Sequence, residues 1–105
     1  MSTDEAGLGL REVGPGVLEL TWPEGAVLSP DAVNRLVGRA FADGARRVEA
    51  EVPVGDRETR VALQRAGLRP EGLARGRRMS SAGTPVDVTR LARLAEDPEP
   101  GTRAS

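Results

Sequence analysis

The residues able to do chemistry in this sequence are carboxylates, hydroxyls and arginines. Its 105 residues include no Cys, His, Tyr or Lys, so all 15 basic residues are Arg. Without Cys there is no disulfide, zinc-thiolate site or thiol nucleophile. Without His there is no imidazole base, triad or imidazole metal ligand. Without Lys there is no Schiff base and no phosphate-loop lysine. No metal site is expected. Glu19, Glu49 and Glu51 are candidate bases, but on alternating strands they are expected to face solvent. Arg69, Arg75, Arg77 and Arg78 form the densest basic cluster. They read either as a solvated strand face balanced by Glu71 and other acids or as an anion contact. A net charge of -1 argues against non-specific nucleic-acid binding. Trp22 and Phe41 are the only aromatics, too few for a base-stacking platform.

The elements that must position these residues follow from pattern. Hydrophobic residues are 38% and charged residues 30%, a balance that suits one small folded domain rather than a disordered chain. Leu8–Val13 and Val17–Trp22 flank the turn Gly14-Pro15-Gly16 and read as a hairpin. Ser29-Pro30-Asp31 opens a helix, with a capping hydroxyl, proline in the first turn and an acid at the positive dipole end. Val33, Leu36, Val37, Ala40 and Phe41 complete its apolar stripe, so the helix spans Pro30–Asp43. Arg47–Val54 alternates strictly, a strand with one buried face. Asp56 caps a second helix, Arg57–Ala66, closed by Gly67. Residues 68–81 read as extended, 82–85 as a turn, and Val86–Leu91 as a returning strand running to Leu94. The order is β-β-α-β-α-β-β, with a right-handed crossover joining a parallel pair in the middle. Residues 1–7 and the acidic, Pro-rich 95–105 are expected to be disordered, leaving 8–94 as the domain. The apolar runs are too short to span a membrane, and the acidic start Met1-Ser2-Thr3-Asp4-Glu5 is unlike a signal peptide. The expected location is cytoplasmic.

The segment Arg46-Arg47-Val48-Glu49-Ala50-Glu51-Val52, then Asp56-Arg57-Glu58-Thr59, then Ala62-Leu63-Gln64-Arg65-Ala66-Gly67-Leu68-Arg69-Pro70-Glu71-Gly72, carries a resemblance. It resembles the C-terminal half of the GCN5-related N-acetyltransferase superfamily, in its ribosomal-protein-acetylating branch. There a strand leads to an N-x-x-S helix and a G-F-x-x-E-G turn. The hairpin strand Val86-Asp87-Val88, ending near Leu91-Ala92-Arg93-Leu94, is also similar. The resemblance implies an α/β fold with an acyl-CoA N-acyltransferase-like mixed sheet, truncated at its N-terminal side. It implies acetyl-CoA as cofactor, lying between two parallel strands with its pyrophosphate on the loop that opens the first helix. The cofactor-binding positions it implies are Trp22, Gly25, Val27, Leu28, Ser29, Asp56 and Thr59. For Ser29, Asp56 and Thr59, helix capping and first-turn polarity are the competing reading. The arginine cluster would then be an alternative contact for the cofactor's 3′-phosphate.

The sequence also departs from that family. Glu24 stands where Arg or Gln is expected in the loop R/Q-x-x-G-x-G/A, and Val27 where Gly is expected. Asp56 replaces Asn, Thr59 replaces Ser, Leu68 replaces Phe, and no Tyr is available for the leaving thiolate. Only Leu8–Val13 precedes the central strand, so the acceptor-binding half is expected to be missing. The expectation is thus an acetyl-CoA-dependent N-acetyltransferase-like protein with a degenerate pyrophosphate loop. The alternative is a non-catalytic dimerisation or partner-binding module. No catalytic residue is assigned. A homodimer or a partner chain covering the exposed sheet is expected; a nucleic-acid or membrane partner is not.

Overall fold

The computed structural model describes residues 2–3 and 7–100. Of the terminal segments expected to be disordered, residues 1, 4–6 and 101–105 lie outside the described residues. The elements in chain order are β1 (Ser2–Thr3), β2 (Gly9–Gly14), β3 (Val17–Thr21), α1 (Pro30–Ala42), β4 (Arg47–Pro53), α2 (Arg57–Arg65), β5 (Arg69–Met79) and β6 (Pro85–Leu94). This is the expected order with a two-residue strand added at the front. The sheet runs β1-β2-β3-β4-β6-β5. β3 and β4 are parallel and every other neighbouring pair is antiparallel.

Local chemistry sets these boundaries. Ser29 Oγ accepts the Ala32 N–H at 3.3 Å and Pro30 occupies the first turn of α1. Asp56 Oδ1 accepts the Thr59 N–H at 3.2 Å at the start of α2. Gly67 follows the end of α2 at φ +91°, where a Cβ would stand 2.9 Å from Pro100 and 3.1 Å from Arg93. Only glycine fits that turn. Residues 95–100 pack back on the body: Ala95 N–H donates to the Arg46 carbonyl at 3.1 Å, and Leu94 N–H donates to Asp97 Oδ2 at 2.9 Å.

Strict alternation divides the sheet chemically. Val48, Ala50 and Val52 point at both helices and are buried with Leu20, Val33, Leu36, Val37, Leu63 and Leu91 in one core. The opposite face carries Arg11, Glu19, Arg47, Glu49 and Glu51. Arg11 pairs with Glu19 across the hairpin. Arg47 reaches Glu49 at 2.9 Å and Glu71 at 2.6 Å. Glu51 is held by Arg77 at 3.1 Å, Arg78 at 3.0 Å and Arg90 at 3.8 Å. The glutamates therefore do not face open water as the alternation suggests. Glu19 is 8% exposed and the Glu51 side chain 6%, roofed by arginines from neighbouring strands. Both helices cover the apolar face of the sheet, and the other face is finished with charge.

This network has a pH signature. Burial alone would raise the Glu51 pKa, but hydrogen bonds from Arg77 and Arg78 outweigh it and hold the carboxyl below its ordinary value. The hydrogen bond from Arg47 does the same to Glu71. A depressed folded pKa means that the stabilisation is present above the unfolded carboxylate value, 4.5. It is lost as pH falls through the folded value. Thermal unfolding should therefore show stability dropping from about pH 5 downward. Glu51→Gln should flatten that acid limb while costing about 1–2 kcal/mol at pH 7, since its arginine partners are half exposed and rehydrate. An acid limb of unchanged steepness in the variant would remove Glu51 from the account.

Candidate functional site

The sheet divides at one place. The parallel ladder of β3 and β4 pairs Val17 with Arg47, Leu18 with Val48 and Glu19 with Glu49, and there it stops. β3 runs on to Thr21 still paired to β2, while β4 runs on to Pro53 still paired to β6. A wedge opens between the carboxyl ends of two parallel strands, where open α/β sheets bind ligands. Both strands then lead into helix N-termini, β3 through residues 22–29 into α1 and β4 through residues 54–56 into α2.

At α1, Pro30 has no N–H, Ala32 gives its N–H to Ser29 Oγ, and Val33 gives its N–H to the Ser29 carbonyl at 3.0 Å. Among the described residues nothing accepts from the N–H groups of Ser29 and Asp31, which remain for an outside acceptor. Gly25 sits at φ +82° with nothing within 4 Å of a Cβ position, so the loop crest is open. Val27 is 76% exposed, its branched side chain in solvent. Leu28 is buried in the core, and Trp22 is half-buried against it. Asp56 is half-buried and spent on its cap, while Thr59 is buried in the first turn of α2.

A cleft of about 510 Å³ lies between the start of α1 and the flank of α2, lined by Leu28, Pro30, Arg57, Glu58, Val61, Ala62 and Arg65. Among the seven positions singled out in sequence, Leu28 alone lines it. Arg57 and Arg65 were missed. Their signal was the i, i+4, i+8 stripe Arg57, Val61, Arg65 on one flank of α2. Among the described residues neither arginine makes an ion pair, whereas Arg69 is 3.7 Å from Asp97 and Arg77 and Arg78 are bound to Glu51. Three of the four arginines in the basic cluster seen in sequence are thus neutralised, while Arg57, at the start of α2, and Arg65, in its last turn, line the cleft. Among the described residues, no group of three or more Asp or Glu is arranged to hold a metal ion. No helix there is long and apolar enough to cross a membrane.

Comparison with known proteins gives the fold a name. No protein-family model and no curated protein matches the sequence. Solved structures do match. A ribosomal-protein-S5-alanine acetyltransferase from Vibrio fischeri aligns at TM-score 0.75 and 16% identity, over 86% of this chain and 54% of its own. A probable acetyltransferase of the GNAT family from Chromobacterium violaceum aligns at TM-score 0.71 and 23% identity, over 84% of this chain and 48% of its own. A GCN5-related N-acetyltransferase from Brucella melitensis gives TM-score 0.68 and 26% identity, covering 84% of this chain and 43% of its own. The fold is that of the acyl-CoA N-acyltransferases, and this chain spans about half the length of the structures it matches.

Proposed function

We propose that this chain is an acetyltransferase-like protein that holds acetyl-CoA at the wedge between β3 and β4, on a weakened pyrophosphate loop. The observation that carries the reading is the end of the parallel ladder at Glu19 and Glu49, with two helix N-termini at its mouth. Acetyl-CoA supplies an acetyl group already activated as a thioester, so the missing His, Cys and Lys are no obstacle. The residues present fit the group in part. The Ser29 and Asp31 N–H groups and the dipole of α1 favour phosphate oxygens. Gly25 leaves room for close approach. Arg57 and Arg65 would meet phosphate charge from the α2 side, and Asp56 and Thr59 border the path of the pantetheine arm. Trp22, Val27 and Leu28 would shape the apolar side of the loop.

Glu24 opposes this set, because a carboxylate in the loop repels a pyrophosphate. Glu19, Glu49 and Glu51, the candidate bases, are each engaged by arginine, so none of the three is free to serve an acceptor amine. A second reading, a non-catalytic partner-binding module of the same fold, is favoured by the two remaining donors and by Glu24. The cytoplasm is the compartment where either would work.

Isothermal titration with acetyl-CoA decides between them. Weak binding is expected, tightened about fivefold by Glu24→Arg, equivalent to about 1 kcal/mol of surface electrostatics. No heat at millimolar cofactor in both proteins would leave only the partner-binding reading.

A further inference from the structure

The cleft between α1 and α2 borders both helix N-termini that face the wedge. Leu28 and Pro30 line it from either side of the capping Ser29, and Arg57 lines it from the first residue of α2. Arg57, Val61 and Arg65 follow one another at about one-turn intervals along α2. The two arginines are therefore rooted about 12 Å apart along the helix axis, with the half-buried Val61 between them. Pro30 and the buried Leu28 supply an apolar wall opposite. Among the described residues neither arginine has an acid partner. Glu58 lines the cleft as well, so its charged groups are two cations and one anion. Glu58 adjoins Arg57 in the first turn of α2, while Arg65 lies in the last turn. The positive end of the cleft is the end at Arg65.

We infer that the Arg57–Arg65 flank of α2 recognises the 3′-phosphorylated nucleotide end of the cofactor, and that this end, not the loop, sets the selectivity of binding. The inference rests on the acetyl-CoA reading above. The diphosphate of acetyl-CoA has the pantetheine arm on one side and a 3′-phosphorylated adenosine on the other. With the arm in the wedge, the nucleotide end is left to the cleft. Arg57 would meet the diphosphate and supply the guanidinium that the loop lacks at Glu24. Arg65, away from Glu58, would pair with the 3′-phosphate, which a guanidinium can hold through two N–H groups at once. Val61, Leu28 and Pro30 would bed the adenine ring. The arginines of β5 are poorer candidates, because Arg69, Arg77 and Arg78 are committed to Asp97 and Glu51.

Isothermal titration of the full chain with acetyl-CoA and with acetyl-3′-dephospho-CoA reads the 3′-phosphate directly. Losing it should weaken binding about fivefold. Arg65→Gln should weaken acetyl-CoA by the same factor and leave the dephospho compound unchanged, and Arg65→Lys should restore part of the difference. Arg65 is exposed, so both variants should fold as the parent does. Adenosine 3′,5′-bisphosphate, which has no pantetheine arm, should shift amides across Arg57–Arg65. Acetyl-CoA bound no more tightly than its dephospho form would overturn the inference and leave the acetyl-CoA reading standing. So would an Arg65→Gln loss equal for both thioesters, or bisphosphate shifts confined to Arg69–Met79. No binding of any of these ligands at millimolar concentration would overturn both.

Discussion

Replacing Arg93 with alanine is expected to destabilise the fold by about 3 kcal/mol, lowering the melting temperature by about 12 °C or more. Arg93 lies on the helix side of β6 and is 3% exposed. Its Nη1 donates to Asn34 Oδ1 at 2.8 Å and to the Ala66 carbonyl at 3.2 Å, and its guanidinium stands 5.5 Å from the Phe41 ring centroid. One side chain thereby ties α1, the end of α2 and β6 together. No carboxylate lies within ion-pair distance of it among the described residues, and Nε has no hydrogen-bond partner. Burial lowers its pKa, with Glu99 and Asp97 pulling the other way. Alanine would leave a cavity and two acceptors without a donor, the buried Ala66 carbonyl and the half-buried Asn34 Oδ1. Arg93→Met keeps the volume and drops the charge. Methionine fills most of the cavity but leaves the same two acceptors without a donor, so it should recover part of the loss and still cost about 1–2 kcal/mol. A methionine variant as damaged as alanine would show that the guanidinium bonds outweigh its desolvation.

Leu63→Ala should cost about 3–4 kcal/mol and should act first on α2. This helix has nine residues and buries only Thr59, Ala62 and Leu63 within its span. Leu63, at 0% exposure, is its one large apolar anchor. A helix this short has little stability of its own. Losing the anchor should loosen the wall that carries Arg57 and Arg65. Hydrogen exchange should show amide protection lost across Arg57–Arg65 before Pro30–Ala42, and acetyl-CoA affinity falling with it. Uniform loss of protection across both helices would mean that α2 is held by more than this residue.

Much of this arrangement was readable from the chain. The apolar stripe from Val33 to Phe41 and the alternation from Val48 to Val54 place both elements within a residue or two, because each period matches one face of one core. Gly67 marked the end of α2 because the turn there needs positive φ. The readable part of the site was its local part: capping at Ser29 and Asp56 is a short-range pattern. Arg57 and Arg65 escaped because their role depends on how α2 lies against α1. Arg93 escaped for a similar reason. Alternation does set it on the same face as Leu91, but a charge in that position reads as solvent-exposed until Asn34 and Phe41 are brought to it across the fold. The roofing of Glu51 depends on arginines 26 or more residues away in sequence. No local pattern reveals such a pairing.

The half-buried Trp22 has a practical meaning. It is the only indole in a chain without tyrosine, and it sits where β3 leaves the sheet and the loop to α1 begins. Ultraviolet emission excited near the red edge of absorption therefore originates from one point, a ring partly in the core and partly in water. Its colour tracks how wet that hinge is, so the protein carries its own optical gauge of the wedge without any label.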